Sequence, residues 1–290
     1  MGMDCGAHGT VASFSTRTSG DTLMYVPLKK QSRSAEPETP SSKQAEKMRR
    51  LRALICSDRH EKTARKQGAT VIAGVDEVGR GSLFGPVVAA AVILPEKTRI
   101  HGVRDSKQLL PEQRERLDVI IRRKAIAVAI GFADAATIDA INIRRASHQA
   151  MLAAIAQLLP QPDFLLIDAE RLDTPCLQEA IIYGDSISIS IAAASIVAKV
   201  YRDAWMCRYH EEYPQYGLAS HKGYGTPEHL RALQEHGPCP LHRTSYDPVR
   251  RVMVARGMTS ASSNIDGANL SDDGDFSLAR GLADDPDDAG

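Results

Sequence analysis

The feature that most constrains this chain is a set of apolar runs that each stop at an acidic side chain. Three such runs, VIAGVDE, DFLLID and EAIIYGD, reach the acids Asp76, Glu77, Asp168 and Asp185. Burying a charged carboxylate among apolar side chains costs free energy unless it is paired or bound to a metal ion. Functional groups of α/β sheets gather at strand ends, so we expect these four carboxylates to meet at one site.

Four neighbouring carboxylates repel and raise one another's pKa, and divalent cations relieve that repulsion. A small set of hard oxygen ligands suits Mg²⁺ or Mn²⁺, so the sequence predicts a divalent-metal site. Taken singly, each acid could instead cap a helix or face water. Asp76 and Glu77 are also neighbours in a predicted strand, and such neighbours point to opposite faces. They can serve one site only if the strand ends or bends there, which Gly79 and Gly81 make easy.

The same pattern predicts the architecture. Strands are predicted for residues 70–75, 86–94, 125–133, 163–168 and 179–185. Helices are predicted for residues 111–124, 190–213 and 226–237, and one helix or two for residues 134–159. The first strands are apolar almost throughout and rich in β-branched residues, which is typical of a sheet covered on both faces. With helices between the later strands, the predicted fold class is a mixed α/β sheet.

The two ends of the chain differ from this core in composition. Residues 1–68 form a predicted N-terminal extension that is disordered to about residue 41 and continues as a basic helix over residues 42–67. One face of that helix carries Met48, Leu51, Leu54 and Ile55. The helix either packs on the domain or follows a nucleic-acid backbone. A folded domain is predicted for residues 69–256. Residues 257–290 form a predicted disordered tail, and eight Asp and one Arg give residues 266–290 a net charge of −7.

Cysteine usage and hydropathy indicate the compartment. The chain has five cysteines and no C-x-x-C pair: Cys5, Cys56, Cys176, Cys207 and Cys239. An odd, unpaired set argues against a disulfide framework and against a cysteine zinc site. No run of about 18 apolar residues suggests a membrane span, and the N-terminus lacks an apolar signal core. We therefore expect a reducing, cytoplasmic location.

Two further stretches carry groups suited to nucleic acid. GRGSLFGP (79–86) has the wrong glycine spacing for a dinucleotide-binding fingerprint, but its tight backbone lets amides approach a sugar or phosphate. SHKGYGTPEH (220–229) offers Tyr224 for stacking and Lys222 for phosphate, or is simply a loop before a helix. Likewise, Ser106 and Lys107 of RDSKQL are either phosphate contacts or a helix entry.

Six stretches, in this order, resemble the successive motifs of bacterial ribonuclease HII, the type 2 ribonuclease H: GVDEVGRG, FGPVVAAAVIL, DSKQL, LLIDAERL, GDSISISIAAASIVAKVYRD and YPQYGLASHKGYGTPEH. The resemblance spans roughly residues 71–250 and leaves both ends of the chain uncovered. It implies a ribonuclease H-like mixed β-sheet flanked by helices, with a C-terminal helical extension. The implied activity is endonucleolytic cleavage of RNA in RNA–DNA hybrids, including single ribonucleotides embedded in duplex DNA, as in ribonucleotide excision repair and DNA replication.

Carried over residue by residue, the resemblance assigns roles within the predicted catalytic domain. The four catalytic and metal-binding carboxylates are Asp76, Glu77, Asp168 and Asp185. They hold two Mn²⁺ or Mg²⁺ ions about 4 Å apart, and cleavage leaves 5′-phosphate and 3′-hydroxyl ends. The substrate-binding set comprises Gly79, Arg80 and Gly81 at the ribose 2′-hydroxyl, Tyr224 stacked at the RNA–DNA junction, and Ser106, Lys107 and Lys222 near the nucleic-acid backbone.

Small departures from the family pattern occur at Ser82-Leu83-Phe84 and at Tyr246, away from the carboxylates. His221 and His229 lie on the predicted binding loop, and we assign them no proton transfer. The expected partner is an RNA–DNA hybrid or ribonucleotide-containing duplex, with no membrane, and the expected state is a monomer. Two alternatives stay open: a non-catalytic hybrid-binding module, and a different metal-dependent phosphoesterase on a similar sheet.

Overall fold

A five-stranded sheet forms the centre of the computed structural model, which describes residues 54–258. Its strands are β1 (Ile72–Val78), β2 (Val87–Ile93), β3 (Ala127–Ala133), β4 (Phe164–Asp168) and β5 (Leu177–Ile181). The spatial order is β3-β2-β1-β4-β5. β2 pairs antiparallel with both β1 and β3, whereas β4 runs parallel to β1 and β5 runs parallel to β4. This is the mixed sheet that the sequence predicts.

Helices precede the sheet, connect its strands and follow it. They are α1 (Arg59–Lys66), α2 (Pro111–Lys124), α3 (Ala135–Ile141), α4 (Ile143–Ala156), α5 (Gly184–Ile187), α6 (Ile189–Glu212), α7 (Leu218–His221), α8 (Pro227–His236) and α9 (Asp247–Ala255). Short 3₁₀ turns lie at Ser106–Gln108 and Pro214–Tyr216. The last two helices pack around Leu83 through Leu233, Val249 and Met253. They supply the expected C-terminal helical extension.

Apolar side chains cover the sheet on both faces because successive strand residues alternate in direction. On one face, Ala73 and Val75 of β1 pack with the buried side of α4, which includes Met151. On the other face, Ala90 and Val92 of β2 pack with α2 and with the alanine-rich start of α6. Residues of even number on β1 therefore face α6, and residues of odd number face α4.

The approach of α6 to β1 depends on Gly74. A Cβ atom at this position would lie 2.1 Å from the carbonyl carbon of Ser190, at the start of α6. Any side chain would push the helix away from the sheet. Because Asp76 lies two residues further along the same face, this contact also sets the distance between Asp76 and the helix.

The structure corrects two predicted elements and decides a third, for which one helix or two were predicted. Residues 54–58 are not helical and α1 begins at Arg59, so Leu54 and Ile55 do not share a helical face with the residues before them. The predicted strand at 179–185 stops at Ile181 because Tyr183 adopts a left-handed conformation (φ 60°, ψ 35°), and Asp185 lies in α5 instead. Residues 134–159 form two helices, separated at Asn142, where φ is 68°.

Several other predictions can be placed against the described residues. The four cysteines within residues 54–258 are all free thiols. None of the helices in that range is long and apolar enough to cross a membrane. The predicted disorder of residues 1–41, the helix over residues 42–53 and the acidic tail beyond Met258 lie outside the described residues.

Candidate active site

Asp76 and Glu77 project from adjacent positions of β1 to opposite faces of the sheet. The strand neither ends nor bends between them: it continues to Val78 and pairs Asp76 with Ala90 and Glu77 with Ala89. Asp76 therefore faces α6, where the Ser195 hydroxyl bonds its carboxylate. Glu77 faces the α4 side. The expected bend at this point is wrong, and the two acids meet different surroundings.

Asp168 lies between the surroundings of Asp76 and those of Glu77. It is the last residue of β4, the strand next to β1, and its Oδ1 accepts a 2.8 Å hydrogen bond from the Gly184 amide. That amide belongs to the first turn of α5, which also carries Asp185. The left-handed turn at Tyr183 thus brings Asp185 beside Asp168, although Asp185 is not at a strand end.

The charges of the four acids act on one another. Burial raises the pKa of Asp76 well above its usual value, and the charges of Glu77, Asp168 and Asp185 raise it further. Burial and the nearby Asp185 charge raise the pKa of Asp168 to about 6. Burial also raises the pKa of Glu77, against the lowering effect of Arg80. The structure thus brings all four predicted carboxylates into one electrostatic cluster.

Two basic side chains occupy the ends of this carboxylate cluster. Arg80 Nη1 lies 3.2 Å from Glu77 Oε1, and Lys107 Nζ donates a 3.1 Å hydrogen bond to Asp185 Oδ2. Within residues 54–258, no three Asp, Glu, His or Cys side chains are drawn together closely enough to enclose one metal ion. The carboxylates are near one another but are not closed around a common point.

The composition of the cluster nevertheless fits a divalent cation. Glu77 Oε2 is buried and has no hydrogen-bond partner, which is costly for a carboxylate oxygen. The raised pKa values of Asp76, Glu77 and Asp168, which result first from burial and then from the neighbouring acids, indicate that positive charge is lacking here. Every donor is a hard oxygen, and such a set selects Mg²⁺ or Mn²⁺ over softer metals. A divalent cation would satisfy the orphan oxygen and the excess negative charge together.

The glycine-arginine loop (79–86) is held by two buried arginines. Arg202 of α6 donates to the carbonyls of Pro86, Phe84 and Lys222, at 3.1, 3.2 and 3.0 Å. Arg243 donates to the carbonyls of Gly85 and Arg80, both at 2.9 Å. Gly79 has φ 96°, and a Cβ there would lie 2.3 Å from Arg202 Nε, so this position requires glycine.

The tyrosine loop (220–226) packs directly against the glycine-arginine loop. The Leu83 amide donates to the Gly223 carbonyl at 2.9 Å, and an isolated β-bridge joins Ser82 to Tyr224. The Tyr224 ring is half-buried, and the Arg202 guanidinium carbon is 5.6 Å from its centroid. Gly81 lies near the same ring: a Cβ at Gly81 would be 3.9 Å from Tyr224 Cε1. The glycine-arginine loop and Tyr224 therefore lie side by side.

A buried histidine pair supports the tyrosine loop from below. His229 Nδ1 lies 3.0 Å from the Tyr224 carbonyl, and His229 Nε2 lies 3.3 Å from His242 Nε2. The Cys239 amide donates to His242 Nδ1 at 3.1 Å. Burial lowers the pKa of His229 to about 4 and that of His242 to about 3. Both rings are therefore neutral near pH 7, and neither lies among the carboxylates.

The structure gives two predicted contact residues different surroundings from those expected. Ser106, predicted as a phosphate contact or a helix entry, begins the 3₁₀ turn Ser106–Gln108, and its buried hydroxyl forms a 2.9 Å hydrogen bond with the Ser195 hydroxyl of α6. The ammonium group of Lys222 bonds the Ala219 carbonyl and the Cys207 sulfur. Lys107, by contrast, is 76% exposed beside Asp185, where a phosphate could reach it.

Sequence reasoning missed several residues that build the site. Arg202 could have been found, because it follows Ala194 and Ala198 at intervals of four on the buried side of α6. Arg243 and Ser195 carry no comparable signal. Glu170, which contacts Arg80, follows Asp168 in a loop without periodicity, so no pattern identifies it.

Comparisons with known proteins identify the family and the fold. A family model described as Ribonuclease HII matches residues 73–249. A ribonuclease HII of Koribacter versatilis (strain Ellin345) is 55% identical over 210 residues, which are 72% of this chain and 83% of that protein. The crystal structure of ribonuclease H2 from Pyrococcus horikoshii OT3 is similar with a TM-score of 0.57 at 25% identity, covering 66% of this chain and 100% of that one. Bst-RNase HIII, solved in complex with Mn²⁺, is similar with a TM-score of 0.50 at 20% identity, covering 66% and 72%. The predicted ribonuclease H-like fold is confirmed.

Proposed function

Since the chain belongs to the ribonuclease HII family, whose members are endonucleases for the RNA strand of RNA–DNA hybrids, we propose that it also cuts at single ribonucleotides embedded in duplex DNA. The observation that carries this proposal is the cluster of four mutually repelling carboxylates beside a loop of fixed main-chain geometry. The acids that would hold divalent metal ions are Asp76, Glu77, Asp168 and Asp185.

The metal ions, Mg²⁺ or Mn²⁺, would supply an activated water and charge stabilisation for the leaving oxygen, which is the usual chemistry of paired metal sites. Asp168 would help to hold these ions, since the charges of both Asp185 and Glu77 act on it. Hydrolysis on the 5′ side of the ribonucleotide would leave a 5′-phosphate and a 3′-hydroxyl. His221 and His229 are assigned no proton transfer: the His221 ring contacts the Tyr216 carbonyl and the Gly223 amide, and the buried His229 ring contacts the Tyr224 carbonyl and His242.

Selection of ribonucleotides must depend on the 2′-hydroxyl, the group that distinguishes RNA from DNA. We assign its recognition to the main chain of Gly79, Arg80 and Gly81. Arg243 fixes the Arg80 carbonyl, and Arg202 packs against Gly79, so the loop needs little rearrangement on binding. Tyr224 would stack on the sugar or base beside the ribonucleotide. The remaining backbone contacts, including Lys107, would position the duplex and would not select a sequence.

The proposed unit is a monomer, because one chain supplies all four carboxylates and both loops. A cytoplasmic location, roles in ribonucleotide excision repair and DNA replication, and the domain boundaries at residues 68 and 257 also stay proposals. The alternative of a non-catalytic hybrid-binding module predicts binding of the same duplexes without any cleavage.

The test is a labelled DNA duplex that carries one ribonucleotide, incubated with the full chain and Mg²⁺ or Mn²⁺. We expect one metal-dependent nick on the 5′ side of the ribonucleotide, and none in an all-DNA duplex. Asp76→Asn should abolish the nick and leave duplex binding intact, because the substitution removes a charged ligand and preserves size. Nicking by Asp76→Asn at the wild-type rate would contradict the metal site. Binding by the wild type without a nick would favour the non-catalytic module.

A further inference from the structure

Arg80 forms ion pairs with two carboxylates through a single nitrogen atom. Its Nη1 lies 3.2 Å from Glu77 Oε1 and 3.1 Å from Glu170 Oε1. Glu77 belongs to the carboxylate cluster, whereas Glu170 lies outside it, two residues after Asp168. In this arrangement Arg80 can give up Glu77 and keep Glu170 as its partner without moving its guanidinium far.

Glu170 is itself held in place from the other side. Its second oxygen, Oε2, lies 3.4 Å from Arg144 Nη2 and 3.3 Å from His148 Nε2, both on α4. The Glu170 side chain is only 16% exposed. Because α4 anchors one oxygen, the other stays directed at Arg80. Glu170 is therefore a fixed acceptor and not a mobile surface acid.

The backbone before Glu170 is strained in order to place it there. Ala169 adopts φ 53°, in the left-handed region that residues with a Cβ avoid. The Glu170 amide donates to the Asp168 carbonyl at 2.7 Å, which closes a tight turn. This turn reverses the chain directly after β4. Strain of this kind persists only where the surrounding contacts enforce it.

From this geometry we infer that Glu170 is a positioning residue that takes over Arg80 when Glu77 serves as a divalent-metal ligand. This inference rests on the proposed function. With Glu77 free of metal, Arg80 neutralises part of the cluster and offsets the raised repulsion among the acids. With Glu77 engaged by a cation, Glu170 is the remaining carboxylate that contacts Arg80 among the described residues. Arg80 then stays beside the cluster, on the loop proposed to contact the ribonucleotide.

This passing of Arg80 from Glu77 to Glu170, the Arg80 relay, predicts that loss of Glu170 affects the metal-free and metal-bound states unequally. In the metal-free state, loss of Glu170 still leaves Arg80 paired with Glu77. In the metal-bound state, the same loss leaves Arg80 without a carboxylate. Removing Glu170 therefore penalises the bound state more than the free state, and the divalent metal should bind more weakly.

The experiment measures Mn²⁺ binding to the metal-free full chain by electron paramagnetic resonance of the unbound ion. Glu170→Gln should weaken apparent Mn²⁺ affinity about fivefold, as expected for a partly buried ion pair. Arg80→Ala should bind Mn²⁺ more tightly than the wild type, because the competitor for Glu77 is gone. In the Arg80→Ala background, Glu170→Gln should change affinity less than about twofold. The matched control is Glu179→Gln. Glu179 lies on β5 and pairs with His60 of α1, and its substitution should leave Mn²⁺ affinity unchanged.

Each outcome separates the relay from simpler accounts. A fivefold loss that persists in the Arg80→Ala background would show that Glu170 acts only through its charge and would overturn the relay. An unchanged affinity for Glu170→Gln, or no Mn²⁺ binding by the wild type, would overturn it as well. Wild-type Mn²⁺ binding with the predicted coupling but no nicking of the ribonucleotide duplex would contradict the proposed function and leave the relay standing.

Discussion

Arg202 packs beneath Tyr224, with its guanidinium carbon 5.6 Å from the centre of the phenol ring. The same guanidinium bonds carbonyls of both loops that line the proposed substrate surface. One buried side chain of α6 thereby fixes the ring that is proposed to stack on the substrate and the main chain that is proposed to sense the 2′-hydroxyl.

Arg202→Lys should damage stability and cleavage together. A lysine cannot donate to three carbonyls in a fixed planar fork, so buried acceptors lose their partners. We expect the free energy of unfolding to fall by about 2–4 kcal/mol, measured by urea denaturation. Cleavage at a single ribonucleotide should slow at least about tenfold, because the loop geometry relaxes. Arg208→Lys, at an exposed position of the same helix, is the control and should behave like the wild type. Wild-type stability for Arg202→Lys would show that the bonds to these carbonyls contribute little.

Tyr224→Ala should slow cleavage at an embedded ribonucleotide by about tenfold or more, because a base–aromatic stack contributes about 1–3 kcal/mol. Tyr224→Phe keeps the ring and should retain most of the rate. Single-turnover nicking of the one-ribonucleotide duplex measures both variants. Equal rates for wild type and Tyr224→Ala would remove Tyr224 from the site.

The His229–His242 pair should make the fold sensitive to acid. Both pKa values are lowered by burial, to about 4 and about 3, so the unfolded chain binds protons more readily than the folded chain below about pH 6.5. Stability contributed by the neutral pair is present above that pH and is lost as the pH falls.

His242→Gln removes one of these titrating groups and provides the comparison. The variant should be less stable than the wild type at pH 7, but the difference should shrink between pH 6.5 and pH 4.5. Urea midpoints across this range test it, and the difference between the two proteins cancels the titration of other groups. A difference that is constant with pH would mean that His242 does not titrate abnormally.

Ala169→Gly should stabilise the protein. Relief of the left-handed strain outweighs the added freedom of the unfolded chain, for a net gain of about 0.5–1 kcal/mol in the free energy of unfolding. Ala204→Gly, in the exposed middle of α6, should instead cost about 1 kcal/mol. Thermal melts of the two variants should shift in opposite directions. A destabilised Ala169→Gly variant would mean that the turn does not carry this strain.

The sequence predicted the strands and most helices closely because their signals are local. The nearly continuous apolar runs of β1, β2 and β4, and the Thr226 cap of α8, follow from neighbouring residues alone. The extent of the predicted fifth strand was wrong, because the left-handed turn at Tyr183 is held by contacts to Asp168 that lie far away in sequence.

In the site too, features with a local signal could be predicted, and features that depend on distant contacts could not. The four acids could be selected because each follows an apolar run. The alternation of strand residues also predicts that Asp76 and Glu77 point to opposite faces, but only the packing of the sheet shows which helix each acid faces. Ser106 was predicted as a phosphate contact or a helix entry; it begins a 3₁₀ turn, and its buried partner, Ser195 of α6, could not be found from the sequence. Glu170 could not be identified from the sequence because its partners come from two segments distant along the chain, the glycine-arginine loop and α4.

The two buried arginines have a consequence for how this surface tolerates change. They hold the glycine-arginine loop by its carbonyl oxygens, and every residue type provides that atom. Replacements such as those at Ser82 to Phe84 can therefore alter side chains without altering the shape presented to a substrate, provided that they fit. The shape of the loop is instead most sensitive to substitutions at positions 202 and 243, more than a hundred residues away along the chain. A library that varies residues 82–84 within the space available, while keeping Gly79, Gly85 and both arginines, should yield more folded variants than one that varies positions 202 and 243.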